Sequence, residues 1–218
     1  MILAAVGMQR EARLVERHGA GLGVRAVAGG GREAQLKARL EAALDGAEAI
    51  LSIGLGGALD SSLEVGDVVV GSEVLQPRGR WETDAVWRDF LLKRLPGARC
   101  GPIYGSAEMV LSALDKDKLR RHGGALLVDM ESHVAAQVAA ARRLPLGVVR
   151  VVSDKAGTSL PDAVRMGISE DGGMNLLGVL GALARDPRQL PALMRVGRDA
   201  DLAFKALDAV AAKALARP

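Results

Sequence analysis

Short segments that are aliphatic throughout alternate along this chain with segments whose apolar residues recur at helical spacing. Ile2–Val6 is the first aliphatic run, and the helical pattern of Gln9–His18 follows it directly. Strands without polar alternation are typical of a sheet that is covered on both faces, with helices in the connections. The pattern therefore predicts an α/β fold.

The same alternation continues to residue 152. The other predicted strands are Gly23–Ala28, Ala49–Ile53, Val68–Val70, Ile103–Ser106, Ala125–Met130 and Leu146–Val152. The other predicted helices are Arg32–Leu44, Ala85–Leu95, Asp115–His122 and Glu131–Arg143. From Asn175 onward the chain is expected to be helical, with breaks at Pro187 and Pro191. Because the 218 residues contain no repeat or long linker, we expect one domain over residues 1–218.

Composition argues against several classes of protein. The net charge is only +3, the basic residues are dispersed and aromatic residues make up 2%, so a nucleic-acid surface is not expected. No apolar run approaches the roughly 18–20 residues that span a bilayer. In "MILAAVGMQR" the charges follow the apolar run, which favours a first strand over a signal peptide. Cys100 is the only cysteine, so we expect a reducing, cytoplasmic setting.

Four predicted strand ends carry glycine or polar residues. They are Gly7–Glu11, Gly54–Gly57, Asp129–Glu131 and Ser153–Gly157. In open α/β sheets, ligands bind beyond the carboxyl ends of the strands. The four segments are therefore expected to form one pocket.

The glycines of "SIGLGGALD" do not fit a dinucleotide-binding loop, because Leu59 stands where the third glycine of Gly-x-Gly-x-x-Gly is needed. No phosphate loop ending in Gly-Lys-Ser/Thr is present either. The segment is compatible with a tight turn after a strand. It is equally compatible with backbone amides that face an anion or a sugar.

Each of the four acidic residues at these strand ends has a structural and a functional interpretation. Asp129 and Glu131 could favour the dipole of a helix N-terminus, or form a fork for a diol. Asp154 could end a strand in a turn or cap, or act as a general acid with a pKa raised by burial. Glu11 could be an ordinary first-turn helical glutamate, or a base that orients a water. The histidines show no metal-ligand spacing, and neither a metal nor a cofactor is expected.

Three segments, taken in order, resemble one family. "AVGMQREARL", "SIGLGGALDSSLEVGDVVV" and "LLVDMESHVAAQVAAARRLPLGVVRVVSDKAG" are similar to the purine nucleoside phosphorylase and nucleosidase superfamily, from residue 1 to about residue 157. The resemblance implies a three-layer α/β sandwich with a central mixed, partly barrel-like sheet, and a homo-oligomer, with a dimer favoured. It also implies cleavage of the N-glycosidic bond of a purine nucleoside.

The segment "RQLPALMRVGRDADLAF" and the "MESH" variant are similar to the branch called hopanoid-associated phosphorylase. Members of that branch are thought to release adenine from adenosylhopane, which leaves a ribosyl hopanoid. The resemblance therefore implies a lipid-linked nucleoside as the substrate.

The resemblance also implies roles for individual residues around the ribose. Met130 would pack under the ribose, and Glu131 would bind its 2′ and 3′ hydroxyls. Gly56 and Gly57 match the glycine turn beside the nucleophile. Asp129 matches a position that is acidic in the hydrolytic members.

On the base side, Asp154 matches the acid that protonates or hydrogen-bonds the purine at N7, and Ser153 would support it. Met109 and Val110 stand in the segment where nucleosidases supply an aromatic residue that stacks on the base. This departure leaves the identity of the base less secure than the type of bond.

The residues favour water over phosphate as the acceptor. "GMQREARL" lacks the proline of the Gly-x-Pro-x-Arg motif of phosphorolytic members, although Arg10 or Arg13 could replace its arginine. Glu11 instead matches the glutamate that holds the attacking water in methylthioadenosine/adenosylhomocysteine nucleosidases, and a carboxylate there would repel phosphate. Leu55 departs from those nucleosidases, which have serine in this turn.

Hydrolysis is therefore expected, and inorganic phosphate stays open as a co-substrate. A methylthioadenosine/adenosylhomocysteine-type nucleosidase and a phosphate-dependent purine nucleoside phosphorylase are the alternatives. A non-catalytic nucleoside-binding protein is a third.

Two expectations concern the bulky 5′ group. "GTSLPDAVRMGISEDGGMNLL", residues 157–177, is predicted to form the lid or mouth of the site. The basic residues between Arg185 and Arg217 predict peripheral contact with an anionic membrane at its inner face.

Overall fold

The computed structural model describes residues 1–166, 181 and 185–218. The strands are β1 Ile2–Val6, β2 Val24–Ala28, β3 Ala49–Ala58, β4 Val68–Gln76, β5 Gly79–Glu82, β6 Arg99–Gly105, β7 Leu127–Asp129 and β8 Leu146–Asp154. The helices are α1 Gln9–Gly19, α2 Glu33–Ala42, α3 Ala85–Arg94, α4 Ala113–Gly123, α5 Ser132–Arg142, α6 Ala163–Met166 and α7 Leu190–Ala214, which a 3₁₀ turn at Pro187–Gln189 precedes.

The strands form one mixed sheet in the order β2-β1-β3-β7-β6-β4-β5, and β8 pairs with both β3 and β4. The pairs β3–β8 and β4–β6 are parallel, whereas β3–β7 and β4–β8 are antiparallel. Because β8 joins β3 to β4, five strands close into a ring and β2, β1 and β5 extend from it. This arrangement confirms the predicted α/β class with a central mixed, partly barrel-like sheet.

Helices cover both faces of the sheet. On one face, Val15 of α1, Leu91 of α3 and Phe204 of α7 belong to one apolar cluster. On the other face, Leu36 of α2 and Val134 of α5 belong to a second cluster. Strands buried on two sides have no need of polar alternation, which explains why they are aliphatic throughout.

One prediction about the glycine segment was wrong. β3 does not end at Ile53 but continues through Gly54–Gly57, so this segment is not a tight turn. It stays extended because β8 pairs with it on one side and β7 on the other, with an irregularity between Gly56 and Gly57. A Cβ on Gly56 would collide with the side chain of Leu127 on β7, so the close approach of β7 requires glycine.

Other element boundaries also differ from the predictions. β4 extends to Gln76 and pairs with β5, which was not predicted. β7 is shorter than predicted at both ends, and β6 begins four residues earlier. Pro191 does not interrupt a helix but lies in the first turn of α7, where its missing N–H costs no hydrogen bond.

The predicted lid and the predicted membrane contact are only partly covered by the described residues. The predicted lid, residues 157–177, lies outside the described residues from residue 167 onward, and so does the predicted helical segment from Asn175 to residue 180. Within the described ranges, no helix is long and apolar enough to cross a membrane. Contact with a membrane surface stays a prediction, as do the single domain and the dimer.

Candidate active site

The four strand ends bring their polar side chains into two groups of buried charge. We call Glu11, Asp129, Glu131 and Arg150 the acid cluster. Lys116 and Asp154 form a second group, which we call the lysine pair. Both Arg150 and Asp154 belong to β8, and they pair with Gly54 and Gly57 of β3 respectively.

Arg150 lies at the centre of the acid cluster and is fully buried. Its Nε lies 2.5 Å from Oδ2 of Asp129, and its Nη1 donates to Oε2 of Glu131 at 3.2 Å. Its Nη2 donates to Oγ of Ser52 at 2.5 Å. A buried guanidinium requires such partners, because its desolvation is costly without them.

Glu11 joins the cluster from the first turn of α1, and its side chain is not that of an ordinary exposed helical glutamate. Oε2 accepts hydrogen bonds from the backbone N–H groups of Gly7 and Met8, both at 2.8 Å, and Oε1 accepts from Leu55 N at 2.8 Å. A carboxylate offers about four lone-pair sites, so three amides leave room for one more donor. Burial raises the pKa of this carboxyl, against the opposing influence of Arg150 and the three amides.

Gly54 makes this arrangement possible. A Cβ at this position would lie 2.6 Å from Oε1 of Glu11 and 2.7 Å from Nη1 of Arg150. Only a residue without a side chain leaves both groups in place. The glycine of β3 therefore serves the acid cluster rather than a turn.

Glu131 lies between the end of β7 and the start of α5, and its side chain caps no helix N–H. A Cβ on Gly7 would lie 2.5 Å from its Oε1, so the glycine after β1 makes room for the carboxyl. Burial raises the pKa of Glu131 to about 8, and Asp129 and Glu11 add to the effect while Arg150 opposes it. The carboxyl is thus mostly protonated at neutral pH.

Asp129 ends β7 and serves α5 as well as Arg150. Its Oδ1 accepts from Ser132 N at 3.2 Å, and its Oδ2 also accepts from the hydroxyl of Ser132. The capping interpretation is therefore right for Asp129 and wrong for Glu131. Met130, between the two acids, is half-buried and reaches toward Gly31, where a Cβ would lie 4.0 Å from Cε of Met130.

Asp154 is the last residue of β8 and caps no helix. One oxygen forms an ion pair with Nζ of Lys116, and the other accepts from the hydroxyl of Ser153 at 2.8 Å. A Cβ on Gly57 would lie 3.1 Å from Oδ2 of Asp154, while the hydroxyl of Ser153 also lies 3.1 Å from the carbonyl oxygen of Gly56. The predicted residues Ser153, Asp154, Gly56 and Gly57 are thus neighbours.

The predicted base-binding residues Met109 and Val110 lie in the loop after β6 and are half-buried. Val110 packs against an apolar cluster that includes Tyr104 and Val128. The following residue, Leu111, accepts from Leu160 N at 2.8 Å, which ties this loop to the segment after β8. Contact of Met109 or Val110 with a base stays a prediction.

Sequence reasoning assigned no role to Arg150 and did not consider Lys116. Arg150 carries a signal, because it is the one charged residue among the aliphatic residues 146–152. Lys116 carries a weaker one, because it lies three residues from both Ala113 and Leu119 on the inner side of α4. Seven of the eleven residues of α4 are charged or polar, so the composition of the helix does not distinguish Lys116 from its exposed neighbours.

The two arginines considered as substitutes for a phosphate-binding arginine are directed elsewhere. The guanidinium of Arg10 pairs with Asp201 at 3.2 Å and lies 3.9 Å over the ring of Phe204. Arg13 is exposed. The cation that acts on Glu11 is Arg150, which pairs with Asp129 and Glu131.

No metal site is evident in the part of the chain that the structure describes. Within it, no group of three or more His, Cys, Asp or Glu residues could hold a metal ion. A cleft of about 530 Å³ lies between β5 and the end of α5, and none of the predicted site residues lines it. Independence from cofactors stays a prediction.

Comparisons with known proteins identify one family and several structures of similar fold. The family model described as Phosphorylase superfamily matches residues 7–172, more than half of the chain. No curated protein matches the chain.

Three solved structures illustrate the likeness of fold. The 5′-methylthioadenosine/S-adenosylhomocysteine nucleosidase from Neisseria meningitidis, in complex with methylthio-immucillin-A, has a TM-score of 0.72 and 17% identity, over 98% of this chain and 97% of that chain. The futalosine hydrolase of Helicobacter pylori has a TM-score of 0.67 and 15% identity, over 96% of each chain. The methylthioadenosine/adenosylhomocysteine nucleosidase from S. pneumoniae has a TM-score of 0.66 and 16% identity, over 98% and 99%.

Proposed function

This chain belongs to the phosphorylase superfamily and is an enzyme that cleaves N-glycosidic bonds, and we propose that it releases adenine from adenosylhopane by hydrolysis. The observation that carries the proposal is the pairing of two buried charge groups on one strand. Arg150 of β8 pairs with Asp129 and Glu131 beside the carboxyl group of Glu11, and Asp154 meets Lys116 at the end of the same strand. When the glycosidic bond breaks, the sugar becomes positive and the base becomes negative, so each is stabilised by a different group of charges.

The acid cluster suits the ribose and the attacking water. Breaking the bond to the base leaves positive charge on the ribose, and carboxyl groups aimed at that position lower the barrier. We assign to Glu131 the binding of the 2′ and 3′ hydroxyls, with Met130 as the apolar surface beneath the ring. The one unused lone-pair site of Glu11 is assigned to the attacking water.

Asp154 suits the leaving base. Adenine leaves with difficulty as an anion, so a proton or a hydrogen bond at N7 accelerates the reaction, by about 10²- to 10⁴-fold for a general acid. Ser153 holds one oxygen of Asp154. The side chain that can reach N7 is therefore fixed in orientation before the substrate binds.

Water is the proposed acceptor because of the charges around Glu11. The carboxyl groups of the acid cluster outnumber its one cation, Arg150, and Arg10 is paired with Asp201 away from it. A phosphate dianion would have to compete with Asp129 and Glu131 for Arg150, and its charge would lie beside the carboxyl group of Glu11. An uncharged water molecule meets no such repulsion.

The hopanoid 5′ group rests on the resemblance of "MESH" and "RQLPALMRVGRDADLAF" to one branch of the superfamily. A second candidate substrate is methylthioadenosine. It is favoured by the likeness in fold to nucleosidases whose names include it. The two candidates share adenine and ribose, and they differ only in the 5′ substituent.

The experiment that tests this function compares the two substrates on one protein. Adenine release from adenosylhopane and from methylthioadenosine is measured by chromatography for the wild type, Asp154→Asn and Asp117→Asn. Asp117 is an exposed aspartate of α4 that pairs with Arg121, so its variant is the matched control.

We expect adenine from adenosylhopane with the wild type and with Asp117→Asn. Asp154→Asn is expected to lose turnover by about 10²- to 10⁴-fold while it still binds the nucleoside. Release from methylthioadenosine alone would contradict the hopanoid assignment. Binding of nucleoside without any adenine release by the wild type would mean a non-catalytic binding protein.

A further inference from the structure

Lys116 is buried to an extent that is rare for lysine, with 1% of its surface exposed. All three hydrogens of its ammonium group have acceptors. Nζ contacts Oδ2 of Asp154, and it donates to the carbonyl oxygens of Lys155 at 2.9 Å and Thr158 at 3.0 Å. A buried ammonium is tolerated only when it is paired in this way.

All three acceptors of the Lys116 ammonium group lie at or just after the end of β8. Two of them are carbonyl oxygens of the turn that follows β8, and the third is the carboxyl that ends β8. Lys118 of the same helix is exposed and pairs with its neighbour Asp115 at 2.7 Å. α4 can therefore hold a lysine at its surface, and the position of Lys116 serves the end of β8 instead.

The geometry points to Lys116 as the positioning residue of Asp154 and the source of the proton that leaves with the base. This inference rests on the proposed function and adds to it. In an ion pair the transferable proton lies on Nζ of Lys116, while Asp154 is a carboxylate and has no proton to give. The proton for N7 must then reach Asp154 from the group in contact with it, which is Lys116.

The step balances as follows. Lys116 Nζ passes a proton to the Asp154 carboxylate as the C1′–N9 bond breaks with its electron pair going to the base, and Asp154 gives this proton to N7. Water adds to C1′ and passes a proton to Glu11. After the products leave, neutral Lys116 takes a proton from solvent and Glu11 releases one, so the net reaction consumes one water.

The test uses two substrates with the same 5′ group, chosen as the one that the wild type accepts. One is the adenine nucleoside, and the other is the corresponding 4-nitrophenyl β-riboside, whose leaving group departs without a proton at N7. The variants are Lys116→Met, which removes the proton, and Lys116→Arg, which keeps the cation but cannot release a proton at neutral pH. Lys118→Met is the matched control.

We expect Lys116→Met to lower kcat/KM for the nucleoside by about 10²- to 10⁴-fold and to leave the nitrophenyl riboside nearly unchanged. Lys116→Arg keeps the cation, so we expect its KM for the nucleoside to equal that of the wild type, while its kcat stays as low as that of Lys116→Met. If Lys116→Met does not fold, Lys116→Arg alone tests the inference, through a lowered kcat with an unchanged KM for the nucleoside.

Equal losses on both substrates would overturn the inference, and so would full recovery of nucleoside turnover by Lys116→Arg. Neither result would touch the proposed function. In this experiment, the proposed function would instead be contradicted by a wild type that releases neither adenine nor nitrophenol.

Discussion

The acid cluster and the lysine pair both hold buried charge along β8, but they balance it differently. In the acid cluster three carboxyl groups, Glu11, Asp129 and Glu131, share the one cation Arg150. In the lysine pair one carboxylate meets one ammonium. Arg150 and Asp154 are four residues apart, which is about 13 Å along an extended strand.

This difference in charge balance matches the two halves of the proposed reaction. Burial raises the pKa of Glu11 and of Glu131, and for Glu131 repulsion from the carboxyl groups of Asp129 and Glu11 adds to the effect. Positive charge on the ribose would relieve that repulsion. On the other side, the base departs with negative charge, and a buried cation with a transferable proton is suited to it.

The largest expected effect is the loss of the cation of the acid cluster. Arg150→Met leaves its carboxyl groups buried without a cation, so we expect the free energy of unfolding to fall by about 3–5 kcal/mol. Urea denaturation followed by circular dichroism measures this change. Arg13→Met, at an exposed arginine of α1, should change it little, and Arg150→Lys should lie between the two.

An Arg150→Met protein as stable as the wild type would contradict the central place of Arg150. It would mean that the carboxyl groups become neutral at little cost. The comparison between the two charge groups would then lose its basis.

A second effect is the pH dependence of stability that Glu131 imposes. Between about pH 4.5 and pH 8 the unfolded chain ionises this carboxyl while the folded protein keeps it protonated. The folded state binds the extra proton, so the free energy of unfolding decreases as pH rises through this window, by up to about 1.4 kcal/mol per pH unit. The stabilisation is complete below pH 4.5 and is lost above pH 8.

Glu131→Gln, which has no ionisable group, should flatten that decrease. The free energy of unfolding is measured by urea denaturation at about pH 5, 7 and 9. Glu64→Gln, at an exposed glutamate, is the control and should keep the wild-type slope. A slope that is unchanged in Glu131→Gln would show that another group binds the proton.

A third and smaller effect comes from the glycine beside the acid cluster. Gly7→Ala places a Cβ 2.5 Å from Oε1 of Glu131, so the carboxyl must move. We expect about 1–3 kcal/mol of lost stability together with weaker nucleoside binding. Gly157→Ala, with no atom within 4 Å of its Cβ, is the matched control.

The smallest effect is expected at the corresponding glycine of the lysine pair. In Gly57→Ala the Cβ would lie 3.1 Å from Oδ2 of Asp154, so a shift of a few tenths of an ångström relieves the contact. Stability should change less than in Gly7→Ala, and turnover should fall more than binding. A larger loss of stability in Gly57→Ala than in Gly7→Ala would reverse the expected order.

The sequence predicted the sheet and seven of the eight strands that the structure describes, because fully aliphatic runs such as Ile2–Val6 have few other uses in a folded chain. It placed Glu11, Glu131 and Asp154 near strand ends, and the structure has Glu11 in the first turn of α1, Glu131 after β7 and Asp154 at the end of β8. It did not predict that β3 continues through Gly54–Gly57, since strand pairing on both sides decides this and is not a local property.

The cations of the two charge groups escaped prediction for a related reason. A buried Arg150 or Lys116 is stabilised by partners that are distant in the chain, such as Asp129 for the arginine and Asp154 for the lysine. Local sequence patterns report which residues face inward, but not which charges they meet there. The sequence alone does not distinguish Lys116 from Lys118, because only the folded structure brings the end of β8 beside Lys116.

The most direct test of the central claim is adenine release in the absence of phosphate. The wild type is dialysed free of phosphate and mixed with adenosylhopane, with and without added inorganic phosphate, and the sugar product is identified by mass spectrometry. We predict equal rates and a free ribosyl product in both samples. Adenine release only with phosphate, together with a ribosyl 1-phosphate product, would contradict hydrolysis and the role assigned to Glu11.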